Sequence, residues 1–246
     1  SAINGSVSIE HVKCYGDSTG QIDVMVSGGT SPYQYMWVSS DSIVMTNTSQ
    51  SLTGLIEDTY VLQIQDSLFC SQWYSYDVIQ PEEPIAIEVN TWDVNCFGQS
   101  DGQIEIVSSG GTAPFNFQWD SGQASPSLNS VSAGTYHCDV YDDNDCMASV
   151  DIDISQPLEA LLISVEGKDL LCKGDSSGEI SSLVQGGSPP YLYAWSSGQT
   201  SSDISGLSTG NYNLIVTDNN GCNAYSGALI GEPDTLEVIS ISSDVL

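Results

Sequence analysis

Cys172-Lys173-Gly174-Asp175-Ser176-Ser177-Gly178-Glu179-Ile180 is followed by Gly186-Gly187-Ser188-Pro189-Pro190-Tyr191-Leu192-Tyr193-Ala194-Trp195, and this pair of segments decides the fold. The first reads Cys-x-Gly-x-Ser-x-Gly-x-Ile and recurs from Cys14 to Ile22 and from Cys96 to Ile104. The second recurs as Gly28, Gly29, Pro32, Tyr33, Tyr35, Trp37 and as Gly110, Gly111, Pro114, Phe115, Phe117, Trp119. The same motifs recurring in the same order, 82 residues on from Cys14 to Cys96 and 76 on from Cys96 to Cys172, mark a tandem array of domain-sized repeats.

A third motif closes each unit. Tyr60, Tyr136 and Tyr212 open alternating runs that end at Asp66, Asp142 and Asp218, and Cys70, Cys146 and Cys222 follow. Gln80-Pro81, Gln156-Pro157 and Glu232-Pro233 mark the junctions. The expected units are residues 1–81, 82–157 and 158–233. Residues 234–246 are read as the first strand of a fourth repeat, so the natural protein is expected to continue. Repeat 1 carries extra residues between Ser39 and Ser51, read as a loop or edge insertion.

The periodicity inside each unit is that of strands. Gln103-Ile104-Glu105-Ile106-Val107 and Val150-Asp151-Ile152-Asp153-Ile154 alternate polar and apolar residues, and Gly, Ser, Asn and Asp clusters separate such runs. Six or seven short strands per unit imply an all-β tandem array of three small immunoglobulin-like β-sandwiches. Trp37, Trp119 and Trp195 stand mid-unit, where such a sandwich buries its Trp. Leu207-x-x-Gly210-x-Tyr212 has the form of a tyrosine corner, repeated by Val131, Gly134 and Tyr136. Repeat 1 has Asp58 where the corners of the other repeats have Gly, and Phe69 where repeat 3 has Gly221.

Composition excludes several classes. There are 32 acids against 3 bases, a formal charge of −29; the bases are Lys13, Lys168 and Lys173. Nucleic-acid binding needs cations to displace phosphate counterions, so no nucleic-acid partner is expected. Anionic membrane surfaces repel such a chain, while the charge keeps a long surface protein soluble. Gly16-Asp17-Ser18-Thr19-Gly20 and Gly174-Asp175-Ser176-Ser177-Gly178 resemble hydrolase elbows. They lead into strands, and His11 and His137 recur in no other repeat, so the chain is read as non-enzymatic.

Small sandwiches bury little apolar surface, and secreted ones use disulfides to compensate. Cys14, Cys70, Cys96, Cys146, Cys172 and Cys222 are the expected disulfide residues. The seventh, Cys138, aligns with Leu62 and Leu214 and is read as a buried core thiol. Pairing depends on topology. One strand crossing between Trp119 and Tyr136 puts both cysteines of a repeat at one pole and pairs them within it. Two crossings put them at opposite poles and permit an inter-repeat ladder such as Cys96–Cys222. The short connection favours the first.

Two further site readings remain open. Asp142, Asp143, Asp145 and Asp218 form acidic turns whose oxygens suit calcium; no other cofactor is implied. Trp73, Tyr74, Tyr76 and Trp92 are aromatics outside the repeated set, able to stack on a polysaccharide if exposed.

The order Cys-x-Gly-x-Ser-x-Gly-x-Ile, Gly-Gly-x-x-Pro-Tyr-x-Tyr-x-Trp, Gly-x-Tyr, Asp-x-x-Gly-Cys resembles the SprB repeat of long cell-surface adhesins in gliding Bacteroidetes. The resemblance implies a structural stalk segment of a large secreted adhesin that supports gliding motility and surface attachment. It also implies export by type IX secretion to an extracellular, cell-surface location. The partners implied are neighbouring repeats of the same chain and, through other parts of the parent protein, the surface motility machinery. The alternative is a polysaccharide-binding array using the aromatics of repeat 1.

Overall fold

The computed structural model describes residues 2–40, 44–45 and 49–235. The proposed fourth-repeat strand lies, from residue 236 onward, outside the described residues. Among the described residues there are nineteen strands and no helix, hence none long and apolar enough to cross a membrane.

Repeat 1 contains β1 (Asn4–Glu10), β2 (Gly20–Ser27), β3 (Gln34–Ser39), β4 (Val44–Met45), β5 (Ser51–Leu55), β6 (Asp58–Gln65) and β7 (Ser71–Val78). Repeat 2 contains β8 (Ala86–Trp92), β9 (Gly102–Ser109), β10 (Asn116–Trp119), β11 (Ser127–Val131), β12 (Gly134–Tyr141) and β13 (Met147–Ile154). Repeat 3 contains β14 (Leu162–Lys168), β15 (Gly178–Gln185), β16 (Leu192–Trp195), β17 (Ile204–Leu207), β18 (Gly210–Thr217) and β19 (Asn223–Ile230). Each repeat forms two sheets. Their orders are β1-β2-β5 with β4-β3-β6-β7, β8-β9-β11 with β10-β12-β13, and β14-β15-β17 with β16-β18-β19. The all-β, immunoglobulin-like reading of the sequence therefore holds. The insertion of repeat 1 supplies β4, which extends the edge through Trp37↔Met45 and Val38↔Val44.

Alternation decides which face is buried. In β6, Tyr60, Leu62 and Ile64 point inward while Val61, Gln63 and Gln65 are only partly covered. They meet Ile22 and Val24 of β2 and Leu52 and Leu55 of β5, so the core of repeat 1 lies between its two sheets. Trp37 sits at its centre, fully buried, and its indole Nε1–H donates to Ser49 O at 3.0 Å. Trp119 and Trp195 repeat this with Ser125 O at 2.8 Å and Ser201 O at 2.9 Å. Satisfying the indole N–H is what lets so large a ring be buried without loss. Cys138 is paired with Trp119 in register and fully buried, as Leu62 pairs with Trp37 and Leu214 with Trp195. Burial pushes its thiol pKa up, consistent with a core residue. The tyrosine corners form: Tyr60 Oη–H donates to Ile56 O at 3.1 Å and Tyr212 Oη–H to Ser208 O at 3.0 Å.

The two short strands settle the topology. β16 pairs only with the far half of β18, from Leu192↔Thr217 to Trp195↔Leu214. β17 pairs only with the start of β15, from Gly178↔Leu207 to Ile180↔Ile204. Between them the chain turns at Gly198, with Gly198 N donating to Trp195 O, and changes sheet. The corner from Leu207 to Gly210 reverses the chain into β18. β16 and β17 therefore run in the same direction and share one traverse of the sandwich. Consequently β15 and β18 also run in the same direction. Cys172, just before β15, and Cys222, just after β18, stand at opposite poles.

By packing, the chain divides into two compact units: Ser1–Asn90, Glu105–Ser127 and Tyr136–Ile152 in the first, and Thr91–Ile104, Leu128–Thr135 and Asp153–Leu246 in the second. The division runs through the strands of repeat 2. Repeat 1 lies wholly in the first unit and repeat 3 in the second.

Candidate functional site at the cysteine-bearing loops

Two loops of each repeat carry its repeated cysteines, and each loop is built by a repeated hydrogen-bond device. The second loop, between β6 and β7, β12 and β13, or β18 and β19, is organised by a buried aspartate. Asp218 Oδ1 accepts the N–H groups of Asn220 (2.9 Å) and Cys222 (2.8 Å), while Oδ2 accepts Ser188 N–H (2.9 Å). Asp142 does the same with Asn144 (2.9 Å), Cys146 (3.0 Å) and Thr112 (2.9 Å). Asp66 does it with Leu68 (2.9 Å), Cys70 (2.9 Å) and Thr30 (3.0 Å). A buried carboxylate is costly unless donors surround it, and here three backbone amides do. Desolvation pushes the Asp66 carboxyl up, but the N–H groups of Cys70, Leu68 and Thr30 outweigh it and hold its pKa below the usual value.

This clamp explains the second glycine of each Gly-Gly pair. Gly187 has φ +64°, and a Cβ there would lie 2.8 Å from Asp218 Oδ2. Gly111 stands in the same relation to Asp142 Oδ2, also at 2.8 Å. Only glycine accepts both the dihedral and the approach. The position before the cysteine is left-handed in all three loops: Gly221 at φ 84°, Asp145 at 63° and Phe69 at 65°. Phe69 keeps the turn, with Phe69 N donating to Asp66 O at 3.0 Å, despite its Cβ. Asp58, the other departure from Gly, instead accepts Thr59 N–H (2.7 Å) and Ser40 N–H (3.3 Å).

The first loop, between β1 and β2 and its counterparts, is held by the residue before the junction proline. Gln80 Oε1 accepts Gly16 N–H at 2.7 Å, Gln156 Oε1 accepts Gly98 N–H at 2.7 Å, and Glu232 Oε2 accepts Gly174 N–H at 3.0 Å. These loops contain the elbow-like Gly-x-Ser-x-Gly segments, which stand in turns leading into β2 and β15.

The disulfides join the first loop of one repeat to the second loop of the next. Cys14 bonds Cys146, with Cα atoms 5.5 Å apart, and Cys96 bonds Cys222 at 5.7 Å. The first bond lies within the first compact unit and the second within the second. The favoured within-repeat pairing is overturned. A single descent is divided between two half-length strands on different sheets, so the two cysteines of a repeat stand at opposite poles. Cys70 and Cys172 are exposed and unbonded.

Each junction has a second, polar contact that sequence reading missed. Asn144 Nδ2–H donates to Lys13 O at 3.1 Å, and Asn220 Nδ2–H donates to Asn95 O at 3.0 Å. The bonded sulfurs of Cys146 and Cys222 each lie 3.4 Å from the same carbonyl oxygens. The available signal was Asn two places before the cysteine in repeats 2 and 3 against Leu68 in repeat 1.

The calcium candidates are not assembled into a site. Asp142 and Asp218 spend their oxygens on backbone amides, whereas Asp143 and Asp145 are exposed on the loop surface. Among the described residues no group of three or more His, Cys, Asp or Glu is placed to hold a metal ion. The glycan candidates are likewise separated. Strand alternation turns Trp73 outward, 50% exposed, beside Gln63 and Met36 in register. Tyr74 and Tyr76 face inward and stack on one another, ring centroids 6.2 Å apart. Tyr74 Oη accepts Gly5 N–H at 2.9 Å, which ties β7 to β1, and Tyr76 is part of the core. Trp92 is 51% exposed on β8.

A family model described as SprB repeat matches residues 4–41, 89–124 and 165–200. Each matched segment runs from the first strand of a repeat through its first cysteine loop to its buried Trp. No curated protein matches. Among solved structures, the chain is similar to the N-terminal eight Ig domains of Down Syndrome Cell Adhesion Molecule isoform 1.30.30. Identity there is 12%, coverage is 88% of this chain and 34% of that one, and the TM-score is 0.31. It is also similar to a tetra-tandem repeat in the extending region of a large adhesion protein (13% identity, 94% and 75% coverage, TM-score 0.28). A third similarity is to the FN1–FN3 domains of chicken CNTN1 (14% identity, 92% and 97% coverage, TM-score 0.23). Each of the three repeats thus carries one segment that is similar to the SprB repeat.

Proposed function

We propose that this chain is a stalk segment of a large secreted cell-surface adhesin, and that its role is to transmit force between the cell and a distal adhesive region. The observation that carries this reading is the disulfide pattern: both bonds tie one repeat to the next. Disulfides form in oxidising compartments, which supports an extracellular location. The charge of −29 suits a long chain that must stay soluble and unaggregated. The likeness of three segments to the SprB repeat favours gliding motility as the setting and type IX secretion as the route, with the motility machinery engaged through other parts of the parent protein.

A second reading has one observation in its favour. Trp73 stands exposed on the outward face of β7 beside Gln63, and Gln34, Met36, Gln63 and Gln65 line a depression of about 540 Å³ on β3 and β6. An aromatic next to amide side chains is suited to stacking on a sugar. A glycan array probed with the purified chain separates the two. Absence of binding supports the stalk. Specific binding abolished by Trp73→Ala makes repeat 1 an adhesive module.

A further inference from the structure

The two disulfides obey one rule: a first-loop cysteine bonds the second-loop cysteine of the following repeat. The rule leaves over one residue of each kind, Cys172 from a first loop and Cys70 from a second, and both are exposed. The occupied sites show what an engaged site looks like. Besides the sulfur bond, the carbonyl preceding the first-loop cysteine accepts an Asn amide, at Lys13 O from Asn144 and at Asn95 O from Asn220.

The third first loop is already in the engaged pose. Leu171 N donates to Ser177 Oγ at 2.8 Å, as Lys13 N donates to Thr19 Oγ1 at 3.1 Å in the occupied loop. Asp175 N donates to Cys172 O at 3.3 Å, matching Asp17 N to Cys14 O at 3.1 Å and Gln99 N to Cys96 O at 3.0 Å. Glu232 holds Gly174 as Gln80 holds Gly16. Cys172 Sγ and Leu171 O are thus the counterparts of the two contact points used at both occupied junctions.

We propose that Cys172 and the Leu171 carbonyl form a preformed docking site for the second loop of another repeat of this kind, one reading Asp-x-Asn-x-Cys. Cys70 is the complementary half in an altered form. Leu68 replaces the Asn and Phe69 follows it, 67% and 81% exposed, so the repeat-1 end keeps the thiol but lacks the polar contact. Closure joins two thiols by thiol–disulfide exchange with a small-molecule disulfide such as oxidised glutathione. One S–S bond forms, one breaks, and the oxidant leaves as two reduced thiols after taking both electrons and protons.

The probe is a second copy of the chain. Cys70→Ser chains retain only the Cys172 half, and Cys172→Ser chains only the Cys70 half; buried Cys138 is common to both. Each is incubated alone and in a 1:1 mixture in a glutathione redox buffer, with folding checked by circular dichroism. The mixture is expected to give a Cys172–Cys70 heterodimer, identified by peptide mapping, in several-fold excess over the homodimers of either variant alone. Leu68→Asn in the Cys172→Ser chain is expected to raise that yield several-fold again. A mixture yield no greater than the homodimer yields, or no linkage between folded chains with Leu68→Asn present, would overturn the proposal.

Discussion

Cys96 is bonded to Cys222 in the next repeat, not to Cys146 in its own. Thermodynamics alone gives little reason for the choice. In the chain-entropy relation, closing a loop of 126 or 132 residues stabilises the folded state by about 5 kcal/mol, and a within-repeat loop of roughly 50 residues by about 4 kcal/mol. The difference of about 1 kcal/mol is minor. What changes is connectivity: cysteines at opposite poles cannot stiffen one sandwich, but they can join successive ones.

The aspartate clamp is expected to hold the second loop without metal. Asp218→Asn retains the shape but replaces one acceptor oxygen with a donor, setting it against N–H groups of Ser188, Asn220 or Cys222. The expected loss is about 1–3 kcal/mol, read as a lower denaturant midpoint with unchanged slope. Adding a chelator to the native chain should leave Tm unchanged. A chelator-induced drop would reinstate calcium at these loops.

Asp66 gives the pH dependence a sign. Its folded pKa lies below its unfolded value, so the stability it contributes is fully present above the unfolded pKa. That contribution is lost as pH falls through the folded pKa. His137 is the opposite case. Its hydrogen bonds to Asp151 (2.6 Å) and Asp139 (3.2 Å) raise its pKa, so its contribution is present below the unfolded value and lost as pH rises through the folded one. NMR titration of the two side chains should show both directions. Asp66→Asn should reduce the acid-side component without abolishing it, because Asp23, Asp93, Asp101 and Asp175 are also held below the usual value by hydrogen bonds.

The aromatics of β7 separate by face. The Tyr76 hydroxyl is buried with no hydrogen-bond partner among the described residues. Tyr76→Phe is therefore expected to leave stability unchanged or raise it by about 1 kcal/mol, since it deletes a desolvated polar group while keeping the ring. Trp73→Ala should cost little, because half of the side chain is already in water. A large destabilisation by Trp73→Ala, with none relieved by Tyr76→Phe, would contradict this placement.

Much of this was legible in the sequence. Period-two runs gave the strands, Leu207-x-x-Gly210-x-Tyr212 gave the corner, and the match of Cys138 to Leu62 and Leu214 gave its burial. The disulfide pairing was harder to read because it depends on half-strands. Nothing in the residues from Leu192 to Leu207 states that β16 stops midway and that β17 resumes on the other sheet. The carboxylates looked like metal ligands because an Asp that accepts backbone amides and an Asp that coordinates calcium occupy the same kind of turn. Trp73 and Tyr76 looked equivalent until alternation along β7 put them on opposite faces. The Asn contact was harder to read for a different reason: its local sign, Asn144 and Asn220 two places before the cysteine, does not name a partner 131 or 125 positions away.

Pulling a single chain from its ends tests the force-transmission reading most directly. Between Cys14 and Cys222, the shortest covalent path crosses both disulfides and only the stretch from Cys96 to Cys146. At the extended length per residue, full unfolding of that interval should lengthen it to about 175 Å when oxidised and about 730 Å after reduction. A fourfold gain in contour length on adding reductant is the expected result. Equal contour lengths in the two states would contradict the inter-repeat bonds and, with them, the stalk mechanism.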